Sequence, residues 1–158
     1  MRLIFAYFLP LGVDEAYQIT IGREFDWSYY DHPPLSFWLP RIVANIVGLE
    51  SILIYRLPSI IFGSITIYAL YGIGLQICGK ATALWSALLY CISPFFFFSG
   101  GTFVLPDAIL NASICMTLYL FLKSQDTKSY YNVKLIMVGF WLASVSYTHL
   151  TLPTILLV

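Results

Sequence analysis

Charge is scarce in this chain: Asp, Glu, Lys and Arg make up 10% of its 158 residues, against about 25% in an ordinary soluble domain. A deficit of that size excludes a surface that faces water all round. The charge present is balanced, eight Lys and Arg against eight Asp and Glu. No basic stripe runs through it, which argues against nucleic acid as a partner. Cysteine is sparse and ungrouped: Cys78, Cys91 and Cys115 sit in apolar stretches, without CxxC spacing or a neighbouring His. They read as small hydrophobic residues rather than disulfides or metal ligands. A Gly-rich phosphate loop and a paired-aspartate metal motif are also missing, so neither a cofactor nor a metal is expected. Arg2 and the apolar residues 3–13 look superficially like a secretory leader, but no small-residue cleavage site follows.

Apolar and aromatic residues are what the chain has in excess. It is 59% hydrophobic and 18% aromatic, with twelve Tyr and four Trp, and its mean hydropathy is +0.82. Tyr and Trp favour the boundary between membrane and water. The pattern predicts an all-α polytopic transmembrane bundle of about five membrane helices. Residues 3–13 are too short to span, since a span needs about 20 apolar residues; the expectation is a first membrane helix that has lost its beginning. Residues 57–77, 81–98, 106–122 and 133–147 supply the others. The third of these opens on Pro106, where a missing N–H costs little. Between the first and second helices lies a long polar segment, residues 14–51. Within it, residues 35–47 are apolar but short and carry Pro40 and Arg41, which predicts an interfacial helix or a re-entrant piece.

Alternating these helices through a bilayer segregates the charge. Arg2, Lys80, Lys123, Lys128 and Lys134 fall on one side with Asp126, and the positive-inside rule makes that side cytoplasmic. The other side receives Asp14, Glu15, Glu24, Asp26, Asp31, Glu50 and Asp107 with Arg23, Arg41 and Arg56. The implied location is a plasma membrane crossed several times, with the acidic face exoplasmic and the lipid bilayer a constant partner.

Three acidic features on that face are candidates for chemistry: Asp14-Glu15, Asp31-His32-Pro33-Pro34, and Asp107 at a helix start. Each has a purely structural alternative. A carboxylate at the edge of hydrocarbon usually faces a protein interior or a wet cavity, yet Asp107 would also complement a helix dipole. Asp14-Glu15 would serve equally as a turn or an N-cap. The two prolines after His32 restrict the backbone and would make a rigid, solvated turn; against that, His32 lies beside Asp31 and two residues from Tyr30, where its ring can be oriented or charged. Glu24, Asp26 and Glu50 read as residues that solvate the loop.

The order Asp14-Glu15-Ala16-Tyr17, then Asp26-Trp27-Ser28-Tyr29-Tyr30-Asp31-His32-Pro33-Pro34, then Arg56-Leu57-Pro58-Ser59, then Pro106-Asp107-Ala108 resembles the N-terminal part of GT-C membrane glycosyltransferases. The resemblance is to bacterial relatives of protein O-mannosyltransferases and lipid A aminoarabinose transferases, and runs from about Leu3 to Gly139. It implies an inverting transferase that takes a sugar from a polyprenyl-phosphate-linked donor to a hydroxyl of a protein, lipid A or glycan acceptor. It implies a general base at Asp14 with Glu15 beside it, and Asp107 as a second acid. With Tyr30, Asp31 and Pro33 as further substrate-binding residues, His32 is implied at the donor phosphate. Arg41 and Arg56, on the same side, are candidates to offset its charge.

Such enzymes are usually several times longer. The expectation is therefore that residues 1–144 are the N-terminal part of the transferase domain and do not act alone. Residues 145–158, with Ser146-Tyr147-Thr148-His149-Leu150-Thr151-Leu152-Pro153-Thr154, resemble a translated adaptor and are expected to be non-native, so His149 carries no role. The rival readings are a transporter or channel segment, whose intramembrane charge belongs near the bilayer midplane, and a non-catalytic membrane subunit, which would need neither Asp14 nor Asp107.

Overall fold

A computed structural model describes residues 1–27, 29, 34–126 and 131–149. Among these the chain is helical, with turns and no strand. Eight helices follow in order: α1 (Arg2–Phe8), α2 (Val13–Ile21), α3 (Leu35–Val47), α4 (Ile52–Ile77), α5 (Lys80–Ile92), α6 (Pro94–Phe98), α7 (Pro106–Asp126) and α8 (Tyr131–His149).

Helix α4 is the axis of the molecule, packing against α1, α3, α5 and α7, while α8 covers α7. It is also the one described helix both long and apolar enough to cross a membrane. It begins five residues before the expected Leu57, because Ser51 caps it through Ile54 N and because Arg56, inside the first turns, is neutralised rather than solvated. The expected first span is instead the short helix α1, a break, and then α2. The expected helix over 81–98 is interrupted: Pro94 keeps Ser93 out of the helical region, at φ −59° and ψ 119°. Helix α3 survives its internal Pro40 and ends at Gly48, whose φ of 71° a side chain would resist.

Small residues let the helices approach closely. Ala69, Ala83, Ala108, Ala112, Thr66 and Ser113 are fully buried, as expected where helices meet without a hydrophobic drive between them. Two apolar clusters fill the remaining gaps. Ala44, Tyr55 and Val104 join α3, α4 and the segment before α7; Ala69, Tyr119 and Leu120 join α4 to α7, with Val138 and Trp141 of α8 against them.

Arg2 departs from its expected grouping with Lys80 and Lys123. Its guanidinium lies between Gly63 and Gly101 and over the rings of Tyr90 and Phe97. Helix α1 has only 7 residues, so it reaches only the first half of α4. Gly63 is about 21 Å along the helix from Ile77 at 1.5 Å per residue.

Candidate functional site

The sequence after α1, Leu9-Pro10-Leu11-Gly12, cannot continue the helix, and the carbonyls of Leu9 and Pro10 turn inward. Arg56 meets them there. Its Nη1 donates to the carbonyls of Ala6 and Leu9, both at 2.9 Å, and its Nη2 donates to Pro10 O at 2.9 Å. Toward Glu15, Nε donates to Oε1 at 2.8 Å and Nη2 to Oε2 at 2.5 Å. The guanidinium also lies over the ring of Phe103, 5.1 Å from its centre. Arg56 is 0% exposed and Glu15 1%.

Glu15 is the third residue of α2, and its carboxylate also accepts from the backbone of Gly12, the helix cap, at 3.0 Å. From the far end of the chain, Val104 N donates to Oε1 at 2.9 Å. A buried ion pair survives only when the remaining donors and lone pairs are satisfied, and here they are. Of the predicted site residues, the structure thus brings Glu15 and Arg56 into direct contact, with every Arg56 donor used and both Glu15 oxygens accepting.

Asp14 lies beside Glu15 but is exposed. Successive helix residues are rotated by about 100°, so a buried Glu15 turns its neighbour outward. Asp107, in the first turn of α7, is half-buried, and Ser99 Oγ donates to its Oδ2. The bond from Val104 to Glu15 gathers the starts of α2 and α7 at one end of the bundle. Arg41 is engaged elsewhere, donating from Nη1 to Glu50 Oε1 at 2.7 Å, with Arg23 3.9 Å from the other oxygen. Arg41's hydrogen bond holds Glu50 below its ordinary value, and the same bond raises Arg41. The predicted contacts Tyr30, Asp31, His32 and Pro33 lie outside the described residues. Among the described residues no group of three or more His, Cys, Asp and Glu side chains gathers around a point where a metal would sit.

Sequence reasoning missed Ser99 and Val104. Ser99 had a signal, a lone small hydroxyl after an aromatic run and before Gly100-Gly101, where the chain must turn and a polar side chain can reach back. Val104 had none, because its contribution is a backbone N–H. Deeper in the bundle, Thr66, Tyr90, Ser93, Phe96 and Asn111 line a cavity of about 500 Å³ between α4, α5 and α7. A second cavity of about 310 Å³ lies between α2 and the start of α4, at Thr20, Arg23 and Ser51. Neither is lined by Asp14 or Asp107.

No curated protein and no solved structure matches the chain. The sequence pattern of one family, described as dolichyl-phosphate-mannose-protein mannosyltransferase, matches residues 31–158. The match takes in Arg41, Arg56 and Asp107 and begins after Asp14 and Glu15. Since it covers most of the sequence, the chain belongs to this family of membrane glycosyltransferases.

Proposed function

We propose that this chain is the N-terminal part of an inverting transferase that moves a sugar from a polyprenyl-phosphate donor to an acceptor hydroxyl at the exoplasmic face. Asp14 is the general base: it takes the proton of the acceptor hydroxyl as the oxygen attacks the anomeric carbon. The bond from that carbon to the phosphate oxygen breaks, and the lipid phosphate leaves on the opposite side. Asp107 is the second acid of the site. His32 meets the donor phosphate, with Tyr30, Asp31 and Pro33 as further substrate-binding residues and Arg41 as a cation on the same side.

The observation that carries this reading is the hydrogen bond from Val104 to Glu15. It ties the start of α2, where Asp14 is exposed, to the segment leading into Asp107. Asp14 is the member of the Asp14-Glu15 pair with water access, as a base must have to meet an acceptor. The test is Asp14→Asn in membranes holding the enzyme that carries this segment, with a polyprenyl-phosphate sugar as donor. Loss of a positioned base costs about 10²–10⁴-fold in rate. Transfer at the parent's rate would sink the assignment.

A further inference from the structure

We infer that Glu15 and Arg56 form a positioning clamp for the transfer reaction, fixing Asp14 on α2 against the segment that carries Asp107 into α7. The inference rests on the proposed role of Asp14 and changes the roles expected for Glu15 and Arg56, from base partner and phosphate contact to joint scaffold.

Saturation is the first ground. A guanidinium has five N–H donors, and Arg56 spends all five on Ala6, Leu9, Pro10 and the two oxygens of Glu15. The carboxylate in turn accepts four bonds, two from Arg56 and one each from Gly12 and Val104. An incoming phosphate would have to displace a carboxylate from Arg56, and an incoming hydroxyl would have to displace a cation from Glu15.

Connectivity is the second ground. The bonds span sequence separations from 41 to 89 residues, apart from the local one to Gly12. They fasten the end of α1, the cap of α2, the first turns of α4 and the segment before α7 to one point. With Glu15 pinned inward, α2 cannot rotate about its axis, and the outward direction of Asp14 is set. Ser99, donating to Asp107 from the loop before α7, steadies the other carboxylate. Displacing a reacting group by about 1 Å costs on the order of 100-fold in rate, so this scaffold acts on kcat without touching substrate.

The experiment compares Glu15→Gln, Arg56→Lys and the double variant with Asp14→Asn in membranes containing the enzyme, measuring kcat, donor KM and the pH–rate profile. Arg56→Lys keeps the charge opposite Glu15 and is the variant that folds if Glu15→Gln fails to accumulate. Expected is a fall in kcat of about 10- to 100-fold in each clamp variant, with donor KM within about twofold. The acidic limb of the profile, which reports the base, stays in place, and the double variant is no worse than the worse single, since both remove one shared element. Disappearance of the acidic limb in Glu15→Gln would make Glu15 the base and overturn the inference. A raised donor KM at unchanged kcat in Arg56→Lys would make it a donor contact and overturn it too, as would parent kinetics in both. Parent activity in Asp14→Asn is a separate failure: it removes Asp14 as base, and the clamp then stands only if Arg56→Lys still lowers kcat with the acidic limb intact.

Discussion

A carboxylate inside a protein stays ionised when its surroundings replace the water it has lost, and the two acid–base pairs at this end of the bundle do so to very different degrees. Glu15 and Arg56 are dry and fully bonded; removing one partner of such a pair costs ~3–5 kcal/mol, which is why the conservative Arg56→Lys is the more informative change. Arg41 and Glu50 sit in water, with side chains 24% and 56% exposed, where solvent and salt screen the attraction. The hydrogen bond from Arg41 nonetheless keeps Glu50 below its ordinary value of 4.5. A carboxylate depressed on folding contributes stability that is present above its unfolded value and lost as pH falls through the folded one. Amide hydrogen exchange in α3, corrected for its intrinsic pH dependence, should therefore stay flat from pH 8 to about 5 and rise below 4.5. Glu50→Gln should hold exchange at the raised, low-pH level above the step as well, and so remove the step; a step that persists in Glu50→Gln would assign it to another group. The contrast between these pairs was only half legible in the sequence. Charge segregation grouped the acids at one end, but Asp14 and Glu15 are neighbours in sequence, and nothing local says which faces inward. Arg56 did carry a signal: an arginine in the first turns of an apolar helix needs a carboxylate.

Helix ends were legible where residue chemistry dictates them and illegible where tertiary contacts do. The start of α7 at Pro106 and the span of α3 from Leu35 to Val47 follow from proline at a first turn and glycine at a C-cap. The early start of α4 follows only in part, because Ser51 is a local cap but an arginine within the first turns depends on Glu15 cancelling it across 41 residues of chain. Glycines in the helices show the same division. A Cβ on Gly74 would stand 2.6 Å from Ala83 Cα and 2.8 Å from its N, whereas one on Gly139 meets nothing within 4 Å. The two sites should respond to the same substitution with opposite sign. Gly74→Ala forces α4 and α5 apart and should cost ~1–3 kcal/mol. Gly139→Ala gains the helix preference of alanine, about 0.5–1 kcal/mol. Thermal unfolding in detergent should thus shift down for the first and up, or not at all, for the second. A lowered midpoint for Gly139→Ala with an unchanged one for Gly74→Ala would mean that α4 and α5 do not meet at Gly74.

At the scale of the whole molecule the decisive quantity is length. Helix α4 has 26 residues, about 39 Å at 1.5 Å per residue, against about 30 Å of hydrocarbon. It overshoots the hydrocarbon, and both of its ends should reach water or headgroups. Ser51 and the ion pair of Arg41 with Glu50 stand near one end; Gly79 and Lys80 follow the other, where a φ of 89° makes the reversal into α5. The aromatic group of Phe25, Trp27 and Trp38, with Trp27 82% exposed, lies on the Glu50 side of the sequence, where ring faces and ring N–H groups suit a headgroup layer. With the three native cysteines replaced, Glu50→Cys should react with a membrane-impermeant maleimide on intact cells, and Lys80→Cys only after permeabilisation. Labelling of both from outside would mean that α4 does not cross, and labelling of Lys80→Cys alone would invert the protein. Inversion would put Asp14 and Asp107 in the cytoplasm, because Val104 ties them to the end of α4 that holds Arg56. On the proposed roles of Asp14 and Asp107, the orientation of this one helix decides the side of the membrane on which transfer occurs.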